Sequence, residues 1–122
     1  MNWYKIFTSQ DEIKQFQHLL VNKYPGLDLE LWDNGHSIEL AVIELPKDKR
    51  NQGLGTAIVQ EIQAYAAQKG LPVVLRPTAE QGKKEALDRF YKNLGFVPNR
   101  GRNKNYQLSS PFAATMYWEP QK

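Results

Sequence analysis

The stretch KRNQGLGTAIVQEI, Lys49 to Ile62, decides how this chain folds. An arginine is followed by two glycines, Gly53 and Gly55, and a segment of apolar periodicity starts directly behind them. A helix start leaves backbone N–H groups without partners and carries a partial positive charge. Glycines at that point let the backbone curl round an anion with no Cβ in the way. Arg50-x-x-Gly53-x-Gly55 at the mouth of a helix is therefore a device for holding phosphate oxygens with main-chain amides. A tight turn that needs positive φ is the alternative reading of the same glycines.

Two better-known phosphate loops do not fit. The P-loop ends in Gly-Lys-Ser/Thr, whereas Gly55 is followed by Thr56 and Ala57. The dinucleotide loop needs a third glycine where Ile58 stands.

Upstream of the loop, residues 2–7 mix aromatic and apolar side chains and read as a strand. Ser9-x-x-Glu12 is a capping box, and Ile13, Phe16, Leu19, Leu20 and Tyr24 follow at helical spacing until Pro25-Gly26. Leu27, Leu29 and Leu31 alternate with polar residues, and Asn34-Gly35 is a hairpin turn. The return strand, residues 36–45, has the apolar interior of a central strand. Downstream, Leu54, Ile58, Ile62, Tyr65 and Ala66 share one helical stripe, which Gly70 ends. Residues 71–75 form a short buried strand, residues 83–94 a second helix ended by Gly95, and Phe96-Val97 begins another strand. Residues 100–110 read as a polar loop and 115–118 as the last strand. The order is β-α-β-β-loop-α-β-α-β-β, a mixed α/β (α+β) sheet with helices on its faces.

The 122 residues make one domain, 1–122, with 24% charged residues and a net charge of +3. There are no cysteines, which excludes disulfides, thiolate metal sites and a cysteine nucleophile. With only His18 and His36, no metal is expected. No apolar run approaches the ~20 residues of a membrane helix. The N-terminus lacks the charged-then-apolar order of a signal peptide, so no membrane is expected and the cytoplasm is the expected location.

Arg50-Asn51-Gln52-Gly53-Leu54-Gly55 resembles the Q/R-x-x-G-x-G/A signature of the GNAT family, the Gcn5-related N-acetyltransferases. Phe90-Tyr91-Lys92-Asn93-Leu94-Gly95-Phe96 resembles the family's F-Y-x-x-x-G-F signature, and the two lie about 40 residues apart, as in the family. The likeness covers roughly residues 38–118. Gly101-Arg102-Asn103-Lys104-Asn105 is also similar to small GNAT-like proteins of phages and mobile elements. The resemblance implies a mostly antiparallel central sheet flanked by helices. It also implies transfer of an acetyl group from acetyl-CoA to a primary amine, by direct attack in a ternary complex. The lack of cysteine suits a route with no acyl-enzyme.

Residue by residue, the resemblance puts backbone N–H groups of Gln52, Gly53, Leu54, Gly55 and Thr56 on the pyrophosphate, with Arg50 and Asn51 opening the motif. It makes Ile43, Glu44 and Leu45 the strand that receives the pantetheine arm, beside a bulge. It casts Tyr91 as the acid that protonates the departing thiolate, at a pKa close to that of the thiol. On spacing alone Tyr91 reads as a core aromatic of the stripe Leu87-Phe90-Tyr91-Leu94, and the Gly95-Phe96 context turns the reading to the acid. Glu39 stands where some members carry a general base, and apolar neighbours would raise its pKa; a solvated carboxylate is the other reading. Glu44 and His36 are rivals.

Three features depart from the family pattern. Lys84 occupies the place of a common asparagine and either contacts a phosphate of the cosubstrate or is surface. The proline of Leu45-Pro46-Lys47 comes one place early. The N-terminal half is short, with one helix where members usually have two, so the acceptor cleft is either open or completed by a second subunit in a homodimer.

The acceptor is not identified by the sequence. Asp28, Glu30, Asp33 and Glu39 on the hairpin are the acids that could hold a polyamine or aminoglycoside, and a protein amine serves equally. The alternative to an enzyme is a non-catalytic GNAT-like module that binds CoA, a protein or a nucleic acid. Arg100, Arg102 and Lys104 with Tyr106 would be its phosphate grip, although nucleic acid is not the expected partner.

Overall fold

The computed structural model describes residues 8–50, 52–77, 84–105, 108 and 115–121. The strand expected at 2–7, Asn51 and Tyr106 lie outside the described residues. Among the described residues five strands form one sheet in the order β1-β2-β3-β5-β4: β1 (Asp28–Asp33), β2 (Ile38–Glu44), β3 (Val73–Leu75), β4 (Val97–Pro98) and β5 (Met116–Trp118). Only β2–β3 is a parallel pair; β1–β2, β3–β5 and β4–β5 are antiparallel. The helices are α1 (Ser9–Lys23), α2 (Leu54–Lys69) and α3 (Lys84–Asn93). Short 3₁₀ turns lie at Lys47–Lys49 and Gly101–Asn103.

Helices α1, α2 and α3 feed one core. Ile13 and Leu20 of α1, Ile58, Val59, Ile62 and Ala66 of α2, and Tyr91 of α3 meet Leu29, Leu31, Ile38, Leu40, Val73, Leu75 and Met116 of the sheet. Alternate strand residues, Val74 and Tyr117, belong to a second small cluster with Leu108. The α1 and α2 faces are joined by Phe16 stacked on Tyr65, with ring centroids 4.5 Å apart.

Several local expectations are corrected. The capping box of α1 is Thr8 with Asp11, one residue earlier than Ser9 with Glu12. Leu19 is 67% exposed. It lies six residues from Ile13, about 240° round the helix and off the stripe of Ile13, Phe16 and Leu20. The hairpin connection runs over four residues rather than two. Asp33 pairs with Ile38, and the Asn34 N–H donates to the Ser37 carbonyl at 2.9 Å.

The outer edge of β1 is met by side chains of α1. Gln10, Lys14 and Gln17 stand on one helical face at spacings of four and three. Lys14 Nζ donates to Leu31 O at 2.6 Å, and Leu31 N donates to Gln17 Oε1 at 2.9 Å. Gln10 exchanges the same pair of bonds with the Asp33 backbone. One helix thus supplies the partners that a further strand would supply, which keeps the edge from pairing elsewhere.

Candidate active site

The β1–β2 register slips at one point. Glu30 pairs with Val42 but Leu31 pairs with Leu40, so Ala41 is an extra residue in β2. This is a β-bulge, and it flips the parity of the strand. Before it, Ile38 and Leu40 face the core; after it, Ile43, partner of Leu29, packs against the same core. The β2–β3 pairing also stops there. Its last pair is Leu40 with Leu75, after which Arg76 and Pro77 leave the sheet while β2 runs on to Glu44. The β3-facing edge of β2 beyond Leu40 thus has no ladder partner among the described residues. Ile43 and Glu44 lie on this stretch of β2, and Leu45 follows it.

A cavity of about 580 Å³ occupies the opening. One wall is β2 from Leu40 to Leu45, the other is Leu75, Arg76 and Pro77, and Leu87, Phe90 and Tyr91 of α3 close it. Gly55 and Arg50 also line it. Leu75, Arg76, Pro77 and Leu87 carry no signal in the sequence that marks them as site residues, whereas Phe90 opens the Phe90–Phe96 signature.

The helix starts differ in a telling way. The α1 start is closed by its own Thr8 side chain and has Asp11 and Glu12 in its first turn. The α2 start has Gly53 as N-cap, no side-chain cap bond and no acid in the first turn. Its backbone hydrogen bonding begins with Ala57 N to Gly53 O at 3.1 Å. The N–H groups of Leu54, Gly55 and Thr56 therefore point out of the helix end without an internal partner. Gly53 holds φ +78°, and no atom lies within 4 Å of where a Cβ would sit. Gly55 has no positive φ, and a Cβ there would reach Phe90 Cζ at 3.4 Å, about van der Waals contact.

Arg50 is turned inward from the loop. Its Nε donates to Leu45 O at 3.0 Å and its Nη2 lies 3.4 Å from Glu44 Oε1. The guanidinium thus ties the end of β2 to the loop. Gln52 donates to Asp48 O at 2.9 Å. Lys84, exposed at the first position of α3, does not line the cavity.

Tyr91 is 4% exposed and forms part of the cavity lining. Its ring is held edge-on by Phe90 at 5.0 Å and by Phe96 at 5.6 Å. No described residue hydrogen-bonds its hydroxyl. Burial pushes its pKa up to about 12. This corrects the expectation of a phenol matched to a free thiol: the low-dielectric surroundings disfavour the phenolate.

Glu39 does not line the cavity. It pairs with Trp32 and Val74, which places it on the sheet face of Val74 and Tyr117, opposite Leu40. Its Oε1 is buried with no hydrogen-bond partner. Burial raises its pKa and the nearby Glu30 adds to that, against a hydrogen bond from Asn34. The rivals sit elsewhere: His36 is exposed in the hairpin loop, and Glu44 faces Arg50. Asp33 is buried, and its Oδ1 accepts from Gly35 N at 2.8 Å, so it serves the hairpin turn. Among the described residues no cluster of His, Asp or Glu could hold a metal ion, and no helix is long and apolar enough to cross a membrane.

The model of the GNAT acetyltransferase domain matches residues 26–98, more than half of the chain. The protein belongs to that family. A comparison with curated proteins finds no match. Among solved structures, the anti-CRISPR protein AcrVA5 is similar, with a TM-score of 0.57 and 19% identity, over 77% of this chain and 90% of that one. Ard1 from Thermoplasma volcanium is similar at a TM-score of 0.53 and 18% identity, over 79% of this chain and 62% of that one. The AtaT–AtaR complex bound to DNA gives 0.50 and 19%, over 76% and 57%. At such identities the likeness shows the fold alone, and the chain spans under two thirds of the second and third. A DNA-bound complex among them gives no support to setting nucleic acid aside as a partner.

Proposed function

We propose that this protein is an N-acetyltransferase that moves an acetyl group from acetyl-CoA to a primary amine, on a small molecule or a protein, with no acyl-enzyme. The observation that carries the reading is a convergence. The unpaired edge of β2, the uncapped start of α2 and the buried Tyr91 meet at one cavity.

Acetyl-CoA supplies an activated thioester carbonyl for the amine to attack, with a thiolate as leaving group. The residues present fit it. The N–H groups of Leu54, Gly55 and Thr56, with those of Gln52 and Gly53 beside them, hold the pyrophosphate. The free edge at Ile43, Glu44 and Leu45 receives the pantetheine arm as an added strand would. Arg50 braces that edge through the Leu45 carbonyl. Tyr91 Oη carries the proton for the departing sulfur. A phenol pushed to about 12 keeps that proton at any physiological pH, and the same dry surroundings raise a thiol placed beside it. Glu39 takes the proton from the amine, directly or through water. The strands part immediately beyond Leu40, so a ligand lying between them is reachable from both faces of the sheet, Tyr91 on one and Glu39 on the other.

The test is the melting temperature with and without acetyl-CoA, followed by thiol release with a panel of amines. The chain has no cysteine, so released thiol is read without background. Ligand at 100 times its Kd adds about 2.7 kcal/mol, a shift on the order of 10 °C for this size. A shift with thiol release supports the enzyme. A shift with no turnover on any amine supports a non-catalytic module. No shift at millimolar acetyl-CoA ends the enzyme reading and leaves a module that binds a protein or a nucleic acid.

A further inference from the structure

We infer that Gln63 is a positioning residue for Tyr91: from inside α2 it pins the C-terminal end of α3 and so fixes where the tyrosine stands in the cavity. The inference rests on the proposed role of Tyr91.

Gln63 is 9% exposed, on the inward face of α2, one turn after Val59 and beside Ile62 and Ala66 of the core stripe. A polar side chain at such a place costs stability unless it is hydrogen-bonded, and a leucine would fill the stripe at no such cost. Its Nε2 donates to Leu94 O at 2.7 Å. Leu94 lies just past the end of α3, where helix carbonyls lack internal partners. The rest of that end is already closed. Phe96 N bonds Tyr91 O at 3.1 Å and Gly95 N bonds Lys92 O at 3.0 Å, with Gly95 at φ +94°. This is a Schellman cap. Gln63 takes Leu94 O, a carbonyl that the cap does not use.

The position of this bond gives it consequence. Tyr91 is the one residue of α3 that is fully buried, and it lies one turn before Leu94. No described residue holds its hydroxyl, so its placement depends on its backbone and on the rings of Phe90 and Phe96. The same helix α2 carries the open N–H groups at its start, where a Cβ on Gly55 would stand 3.4 Å from Phe90 Cζ. The Gln63–Leu94 bond is thus a polar tie between α2 and the end of α3, added to the apolar packing of Leu87, Phe90 and Tyr91. Gln63 does not line the cavity and acts through the α3 terminus.

The experiment compares wild type, Gln63→Leu, Gln63→Glu and Tyr91→Phe, each shown by its melt to be folded at the assay temperature. Two readouts are taken: kcat and KM for acetyl-CoA with the best amine of the panel, and tyrosinate absorbance between pH 9 and 12.5. Gln63→Leu is expected to lower kcat about tenfold, with KM for acetyl-CoA within twofold. Gln63→Glu, which sets a carboxylate against the Leu94 carbonyl, is expected to fall further. In both, the late-titrating tyrosine that Tyr91→Phe deletes should titrate earlier than in wild type. An unchanged kcat with an unchanged titration overturns the inference, as does a rise in KM alone. Should wild type show no turnover, the enzyme reading fails by itself, and the titration still decides whether Gln63 positions Tyr91.

Discussion

Gly26 and Pro46 share one surface: a Cβ on Gly26 would stand 2.5 Å from Pro46 Cγ. The turn after α1 and the entry to the glycine loop therefore touch through a missing side chain. Lys49 Nζ adds a bond to Pro25 O at 3.3 Å across the same junction. Gly26 also holds φ +84°, which disfavours any Cβ. Gly26→Ala is expected to destabilise the fold by about 2 kcal/mol, roughly 8 °C in Tm. It should also weaken acetyl-CoA binding, because a shifted Pro46 moves the loop. Thermal melts with and without the ligand measure both.

Gly53 separates conformation from access. Its φ of +78° disfavours alanine, while the space above it is open. Gly53→Ala is expected to cost about 1 kcal/mol of stability. Gly53→Asn tolerates the left-handed backbone and should cost less, yet it puts an amide side chain over the N–H groups of α2. Both variants should lose most of the acetyl-CoA thermal shift. A Gly53→Asn protein that keeps the full shift would move the phosphate away from this helix start.

Tyr91→Phe is expected to lower kcat on the order of 100-fold and leave KM for acetyl-CoA near its wild-type value. It also has a signature without substrate. The phenol titrates at about 12 when folded, against an ordinary 10. Between those values the unfolded chain has lost the proton and the folded chain keeps it. The native state therefore binds more protons, and stability falls as pH rises from 10 to 12. The loss for this group is about 2–3 kcal/mol. Tyr65, likewise pushed to about 12 by burial, contributes in the same window. Tyr91→Phe should thus flatten the alkaline loss of stability in part. Tm measured from pH 8 to 12 for both proteins reads it directly.

The elements bounded by glycines are legible in the sequence. The α2 helix has a glycine before it, a periodic stripe through it and Gly70 at φ +69° after it, and it runs Leu54–Lys69. The bulge is not legible. Leu40-Ala41-Val42-Ile43 is apolar at every position, so a flip of parity leaves no mark on the pattern. The α1 cap is ambiguous by one residue because Thr8 and Ser9 are both hydroxyls, with Asp11 and Glu12 three residues behind each. Gln63 is hidden by its type: a polar residue on a helix reads as surface until its partner, 31 residues away, is seen. Arg50 shows the reverse. Its charge suggests a phosphate contact, and its geometry gives it to the Leu45 carbonyl.

Glu39 is the residue at which stability and activity should part. Its buried Oε1 has no partner, and burial raises its pKa. The sign follows from linkage. A carboxyl whose folded pKa is raised favours the fold fully below its unfolded pKa, and that advantage is lost as pH rises through the folded value. At pH 7 the ionised group is therefore a burden on the fold, and Glu39→Gln should melt higher than wild type there, while the two converge near pH 4. Activity should go the other way. A base that must be ionised gives rates an acid limb above the ordinary carboxylate range, and Glu39→Gln should lose that limb and most of the rate, on the order of 100-fold. A pH–rate profile from 5 to 9 beside melts at pH 4 and 7 tests both halves. If Glu39→Gln melts higher and keeps its rate and its acid limb, the carboxylate is only a desolvated strand residue. The amine's proton then leaves through water.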